Sequence, residues 1–459
     1  MNFKRKLWWA QHRTDVYKYG TIISLVLIVT ISIIYFTYSK FTSTSEATAY
    51  ETTVEPFIKN DYFIASYIDG EWSNEIPGKE DGYAVDKIVC DNGATATWDN
   101  EEWGINIRNA TKKIKCSIYF KKLVKFTDQI TNLASTDTTN FATDDPDNNI
   151  RYIGRDPSNY VYFNCSDYSK QTEDTCEKWR IIGLFNNVQK SNNIQENLIK
   201  ITRNNLIGTF SFDSSEKEVN NGYGTNDWSN SALMKLLNPG YETEEVGGSL
   251  YYNLKAGNCY SGAEKNIKEC DFTASGLKND STRNAIESVQ WNLGASDNGI
   301  TSSLYKNERS TKVYSGHATT WTGKIGLPYS SDYGYATSGG TKEGGTKQTR
   351  ESCLSSSLTS WGSNFDTCST NNYITSYQFT MTPYLSNNYD EFYIYIAARF
   401  EKSFLYYKLY INSEGLPNGV TLRNIKGILG VSPTLYLKSD IFVLAGDGTS
   451  SNPYQLKLN

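Results

Sequence analysis

Residues 21–38 read TIISLVLIVTISIIYFTY and carry no charge. Gly20 and Ser39 extend the uncharged run, which as a helix would be roughly 30 Å long, the thickness of a bilayer core. Lys4, Arg5, Lys6, Arg13 and Lys18 precede it against a single Asp15. That asymmetry predicts that residues 1–20 stay in the cytoplasm and that everything after the run is exported. Tyr35, Phe36 and Tyr38 suit the far interface. A cleaved signal peptide would have a shorter apolar stretch ending at small residues, but the one nearby A-x-A pattern, Ala47-Thr48-Ala49, lies well past the end of this run. The expectation is a retained single-pass anchor with the carboxyl-terminal portion outside the cell.

The cysteines give an independent indication of the same compartment. All eight follow the run, as Cys90 with Cys116, Cys165 with Cys176, Cys259 with Cys270, and Cys353 with Cys368. Eight cysteines allow 105 pairings, so connectivity stays open at this level; local pairing within each short segment is the expectation. No C-x2-C spacing or Cys/His cluster favours zinc, so structural disulfides in an oxidising compartment are expected.

Residues 39–58 are rich in Ser, Thr and Glu and read as a stalk. Residues 59–122 read as a small β-sandwich-like domain: Trp103, Ile105 and Ile107 alternate, as do Ile114, Cys116, Ile118 and Phe120, the period-two pattern of half-buried strands. Asp91-Asn92-Gly93 signals a turn. Residues 123–146 read as a second linker, and 147–459 as one large domain. There Tyr160–Phe163, Trp179–Phe185 and Leu198–Ile201 suit short strands. Residues 227–238 suit a helix capped by Asp227 or Ser229 and stopped by Pro239-Gly240, and 282–292 a weaker one. The Gly/Ser/Thr-rich stretch 331–350 suits a long surface loop. Further strands are expected at 392–397, 404–411, 434–437 and 441–444. The fold class expected is α+β, β-rich, behind an amino-terminal transmembrane helix.

The stretches Tyr152–Val161, Trp179–Gly183, Asn226–Ser229 with Leu236–Asn238, and Gly326–Tyr329 with Ser331–Ala336 are distinctive, as are Thr380–Tyr384, Pro433–Lys438 and Gly446–Thr449 with Asn452–Tyr454. Together they resemble a family of uncharacterised, membrane-anchored bacterial surface proteins. The resemblance implies that residues 147–459 form a C-type-lectin-like domain, similar to that of formylglycine-generating enzymes. The small unit with Cys90, Trp98, Trp103 and Cys116–Phe120 is similar to a short domain that recurs beside it. The chain departs from the pattern at Gln378-Phe379, where such domains often have Trp before the Met-Thr-Pro stretch, and at Ser432, where they often have Arg. The resemblance carries no activity with it.

Chemistry is sparse. His317 is the one histidine after the apolar run; it lies in a Gly/Thr-rich stretch and reads as a loop residue rather than a base for a nucleophile. Asp145, Asp147, Asn149 and Asp156 fall at positions 1, 3, 5 and 12 of an EF-hand template, but Ile150 stands where Gly is needed and Asp156 where Glu is expected, so a solvated acidic linker without metal is the reading. The region after the run holds 40 basic and 49 acidic residues, which lacks the basic footprint of a nucleic-acid binder. No catalytic residue and no cofactor is expected. The aromatic residues Trp321, Tyr333, Tyr335 and Trp361 lie in loop-like stretches and are the candidates for stacking on a ligand. The function expected is a non-enzymatic surface binding or adhesion module for a glycan, cell-wall or protein ligand; the alternative is a structural or assembly component of the envelope.

Overall fold

The computed structural model describes residues 12–14, 17–30, 62–100, 102–109, 113–214, 224–262, 266–341, 347–358, 361, 368, 371–374, 378–385, 393–397, 399–400, 403–404, 407–410 and 428–458. The chain divides into two compact units, Met1–Asp61 and Tyr62–Asn459.

In the first unit, residues 17–30 are helical. The apolar side chains Ile22, Ile23, Leu25, Val26, Leu27, Ile28 and Val29 are each 50–61% exposed. Within the helix the hydroxyls of Thr21 and Thr30 donate to the carbonyls of Tyr17 and Val26, both at 2.6 Å, so neither needs an outside partner. Among the described residues no helix is long and apolar enough to cross a membrane. Residues 31–38 of the expected span, and the expected stalk at 39–58, lie outside the described residues.

The second unit is mixed α+β and β-rich, with several small sheets and few helices. It opens with β1 (Tyr62–Ile68), β2 (Glu71–Ser73), β3 (Tyr83–Cys90), β4 (Thr95–Asp99), β5 (Gly104–Arg108) and β6 (Ile114–Lys122). A four-stranded sheet has the order β2-β1-β6-β3, and β4 pairs with β5. The alternation of β6 works as anticipated: Ile114, Cys116, Ile118 and Phe120 are buried. Ile118 and Phe120 meet Ile64, Trp98, Trp103 and Ile105 in a core shared by both sheets. β1 and β6 run parallel, from Tyr62↔Ile114 to Tyr67↔Tyr119. Cys90 and Cys116 stand directly opposite on β3 and β6 and are bridged. The Asp91–Gly93 turn needs left-handed residues, and Asn92 (φ 51°) and Gly93 (φ 77°) supply them.

The expected linker at 123–146 is instead part of the core. β7 (Val124–Lys125) leads into helix α1 (Phe126–Ala134), and β8 (Phe141–Ala142) follows. Phe126, Ile130 and Phe141 are 1%, 0% and 6% exposed and join the main hydrophobic cluster. Their spacing is apolar-periodic, but the Thr, Asp and Asn between them hide it in composition. β9 (Ile150–Tyr152), β10 (Tyr160–Phe163), β11 (Glu177–Gln189) and β12 (Gln195–Arg203) continue the chain. The central sheet has the order Ile325–Gly326, Thr434–Tyr436, β12, β11, β9, β8, with β10 also on β11. Buried on both faces, β11 and β12 read as near-continuous apolar runs, as such strands must.

The carboxyl-terminal strands tie the small sheets to this body. Strand Phe442–Ala445 pairs with β7. Lys457 Nζ donates to the carbonyls of Lys79 and Tyr83, both at 2.8 Å, and sits 4.4 Å above the Trp103 ring. Gly82, at φ +75°, lets Phe442 approach: an added Cβ would stand 2.6 Å from that ring.

The expected helix at 227–238 appears as a 3-10 turn, Trp228–Asn230, and α2 (Ala232–Leu237). Asp227 caps the turn by accepting from Ser229 N, and Ser231 caps α2 by accepting from Met234 N. The helix expected at 282–292 is shorter, as α3 (Asp280–Ala285); Val289–Asn292 is a strand paired with Thr320–Gly323. α4 (Thr301–Glu308) and α5 (Ser330–Tyr335) pack together, and α6 (Arg350–Ser355) follows. The surface loop expected over 331–350 therefore fails at its start, where every residue of α5 is buried. Small residues explain this: an added Cβ on Gly334 would meet Thr301 Oγ1 at 2.4 Å. The four late strands appear at Tyr393–Ala397, Tyr407–Tyr410, Thr434–Tyr436 and Phe442–Ala445. Four cysteine pairs are at bonding distance, each with its near neighbour in sequence.

A polar cleft over a buried charge network

The loop 145–149 before β9 folds around Asp145. This carboxylate accepts from the backbone of Asp147 (3.2 Å) and Asn149 (2.9 Å), from Asn149 Nδ2 (2.9 Å), and from Arg151 Nε (2.8 Å). Asp145 and Asn149 are 3% and 2% exposed. The solvated acidic linker is thus corrected: Asp145 is buried and a guanidinium answers its charge. Among the described residues no group of three or more His, Cys, Asp or Glu could hold a metal ion. Asp156 stands apart, largely exposed, 3.7 Å from Arg180.

Arg151, on β9, reaches across to α5, where its Nη1 donates to Asp332 at 2.6 Å. Lys200, on β12, donates to the other Asp332 oxygen at 2.5 Å. All three side chains are essentially inaccessible. Asp332 also caps its own helix by accepting from Tyr329 N at 3.0 Å. Burial would raise the Asp332 carboxyl, but Lys200 and Arg151 outweigh it and hold it at about 2. Burial brings the Lys200 ammonium down to about 8 against the pull of Asp332. Both groups are charged at neutral pH. Four rings enclose that ammonium: Tyr329 at 4.3 Å, Phe185 at 5.2 Å, Trp291 at 5.3 Å and Tyr436 at 5.5 Å. Cation–π attraction is strongest at such a desolvated site.

The outer side of the same ring layer forms a cleft of about 190 Å³. Phe185, Trp291, Tyr305, Tyr329 and Tyr436 give it apolar faces; Asn149, Asn186, Asn187, Gln189, Gln290 and Asn292 give it carboxamides; Asp147 and Arg309 complete the wall. α4 positions the last part. Tyr305 Oη donates to Asp147 Oδ2 at 2.6 Å and accepts from Asn149 Nδ2 at 2.8 Å. One turn on, Arg309 lies 3.4 Å over the Tyr305 ring and is 21% exposed. Glu308, 3.6 Å from Arg309 Nη1, accepts from Ser331 N (3.0 Å) and Thr382 Oγ1 (2.7 Å). Burial pushes the Glu308 carboxyl above its usual range, with Arg309 opposing. Burial also raises the phenols of Tyr305, Tyr329 and Tyr436, so they stay neutral donors. The cleft therefore has a floor of nearly buried rings, a rim of carboxamides, and one residue of each charge, Asp147 and Arg309.

The four aromatics singled out from sequence do not line this cleft. Tyr333, Tyr335 and Trp361 are 2%, 2% and 0% exposed. Tyr333 packs on Trp361 with ring centres 5.9 Å apart. Tyr335 sits one layer behind the cleft, under the Arg151 guanidinium at 5.3 Å. Trp321 is half-buried, opposite Trp291 in a hairpin and edge-on to Trp228. Tyr333 and Tyr335 are core because α5 is packed rather than looped. His317 is half-buried, its Nε2 3.4 Å from Thr225 Oγ1. Lys200 was missed, although a lysine inside the apolar run Leu198–Ile201 is itself a signal, because a buried charge demands a partner. Nothing local marks Arg309 or the amides. No protein family, curated protein or solved structure matches the chain.

Proposed function

We propose that this chain is a bacterial surface protein, anchored by its amino-terminal apolar run, whose exported portion binds a neutral, hydroxyl-rich ligand, the end of a glycan, in the cleft between β11, α4 and the Val289–Asn292 strand. The observation that carries the reading is the lining: rim carboxamides of Asn187, Gln189, Gln290 and Asn292, groups that can donate and accept, over a floor of nearly buried rings. A sugar ring presents the same alternation, with C–H faces for rings and hydroxyls that need both donors and acceptors. Its volume of about 190 Å³ is below the roughly 300–1,000 Å³ of drug-sized sites, which suits one ring rather than a long segment.

Support for the anchor is the uncharged run with its basic flank, and the exposure of the apolar side chains on residues 22–29. Support for an outside location is the set of four disulfides. The C-type-lectin-like arrangement of residues 147–459 belongs to the same reading. Three of the stretches that carry the resemblance supply Tyr152, Asp332 and Tyr436, which sit in or beside the buried network.

The test is calorimetric titration of the detergent-solubilised full chain with a panel of saccharides and cell-wall fragments. Binding by the wild type and a loss of about ten- to hundredfold in Arg309→Ala is expected, the size of a charge-assisted hydrogen bond. Failure of every saccharide and wall fragment to bind overturns the reading and leaves a structural role in the envelope.

A further inference from the structure

A second surface, on the small sheet, differs from the cleft in every chemical respect. In the register of the four strands, Trp72 on β2 stands opposite Tyr67 on β1, Tyr67 opposite Tyr119 on β6, and Tyr119 opposite Lys87 on β3. The next same-face rung is Ala65, Ser117 and the exposed Val89, and beyond it come Phe63 and Lys115. Side chains alternate along a strand, and Ile118 and Phe120 point inward, so this row faces out. The contacts agree. The rings of Trp72, Tyr67 and Tyr119 cluster with centres 5.1, 5.5 and 5.6 Å apart. Lys87 Nζ sits 4.4 Å over Tyr119, and Lys115 Nζ 5.7 Å over Phe63. Trp72 and Phe63 are 55% and 51% exposed.

We propose that this face lies on a membrane surface bearing acidic phospholipid headgroups. The row mixes Phe, Trp and Tyr with lysines and has no carboxylate among its register positions; Asp86 falls in the bulge between Val85 and Lys87, and the Asp91 carboxylate accepts from Lys115 N at the row's end. Aromatic rings with a polar tip settle at the headgroup level, and lysines are drawn to an anionic leaflet. A saccharide surface would call for the carboxamides that crowd the cleft and are missing from this row. The proximity of lipid rests on the anchor reading above. Residues 40–61 separate the uncharged run from β1, a length of chain that spans roughly 70–80 Å at most.

The experiment is residue-resolved acylation of lysines by a water-soluble reagent, read by mass spectrometry. The full chain is placed in nanodiscs of phosphatidylcholine alone or with phosphatidylglycerol. Lys87 and Lys115 should react several-fold more slowly in the acidic discs, with the difference abolished by high salt and by Trp72→Ser/Phe63→Ser, while exposed Lys255 reacts equally in both. Equal rates for Lys87 and Lys115 in the two discs overturn the proposal. Equal protection by soluble polyphosphate in neutral discs overturns it in favour of a polyanion. If the chain elutes apart from the discs, the anchor reading fails instead, and the same labelling with phosphatidylglycerol vesicles still decides for or against the face.

Discussion

The small sheets and the central sheet solve the problem of a core in opposite ways. Between β4–β5 and the four-stranded sheet, the packing is of apolar side chains, Ile64, Ile118, Phe120 and Trp98, with the Lys457 ammonium over Trp103. In the larger body, Arg151, Lys200, Glu308 and Asp332 are buried outright. Apolar packing would serve stability at least as well, because desolvating an ion pair often costs more than its attraction returns. The difference teaches that the buried charges are placed for the surface above them. They hold α4, α5, β9 and β12 in one arrangement, and, Tyr335 apart, the rings that Arg151 and Lys200 touch are those that wall the cleft.

The largest effect should come from breaking that network on one side. Asp332→Ala leaves the Lys200 ammonium buried without its partner and should cost about 3–5 kcal/mol in denaturant unfolding. Pairing it with Lys200→Met removes the orphaned charge and should recover part of the loss. If the double variant is no better than the single, the charges are not coupled and the comparison breaks. Next, opening the small sheet by Cys90→Ser/Cys116→Ser should cost about 3–4 kcal/mol, the chain-entropy value for a bridge across 26 positions. The Cys165–Cys176 bridge, across 11, should be worth slightly less, about 3 kcal/mol.

The effect of pH sharpens the contrast further. Asp332 is held at about 2, below its unfolded value, so its contribution is present above pH 4 and fades as pH falls toward 2, by roughly 2 kcal/mol. Lys200 is held at about 8, also below its unfolded value. Its protonated form is therefore penalised in the folded chain, and stability should rise as pH climbs from 8 toward 10. Urea midpoints across that range should show this rise in the wild type and lose it in Lys200→Met. The smallest effect belongs to the outer face of the small sheet: Trp72→Ser should change stability by less than ~0.5 kcal/mol, since the side chain is mostly in solvent already.

How much of this was legible depended on sequence distance. The alternation on β6, the turn at Asp91–Gly93 and the neighbouring cysteine pairs are local, and the sequence shows them. α1 escaped notice because its apolar positions are diluted by Thr, Asp and Asn. α5 escaped because Ser, Gly and Tyr suggest a loop until a partner helix is known to press against Gly334. Asp145, Asp147 and Asn149 drew attention as a set of oxygen ligands, but Asp145 meets an arginine six residues away in sequence, Asp147 accepts from the Tyr305 hydroxyl, and Asn149 donates to Asp145 and Tyr305. The partners that make the site are remote. Lys200 and Asp332 are 132 positions apart, and Arg151 and Asp332 are 181; no local pattern encodes such meetings.

The parallel pairing of β1 with β6 has a mechanical consequence. A pull transmitted from the amino-terminal side enters at Tyr62, and resistance from the rest of the body is felt at the end of β6, beyond Lys122. In a parallel pair those two tugs oppose each other along the strands, so the rungs from Tyr62↔Ile114 to Tyr67↔Tyr119 are loaded in shear, together, instead of unzipping in turn. Force applied across this pair would strain a whole ladder before the first rung gave way.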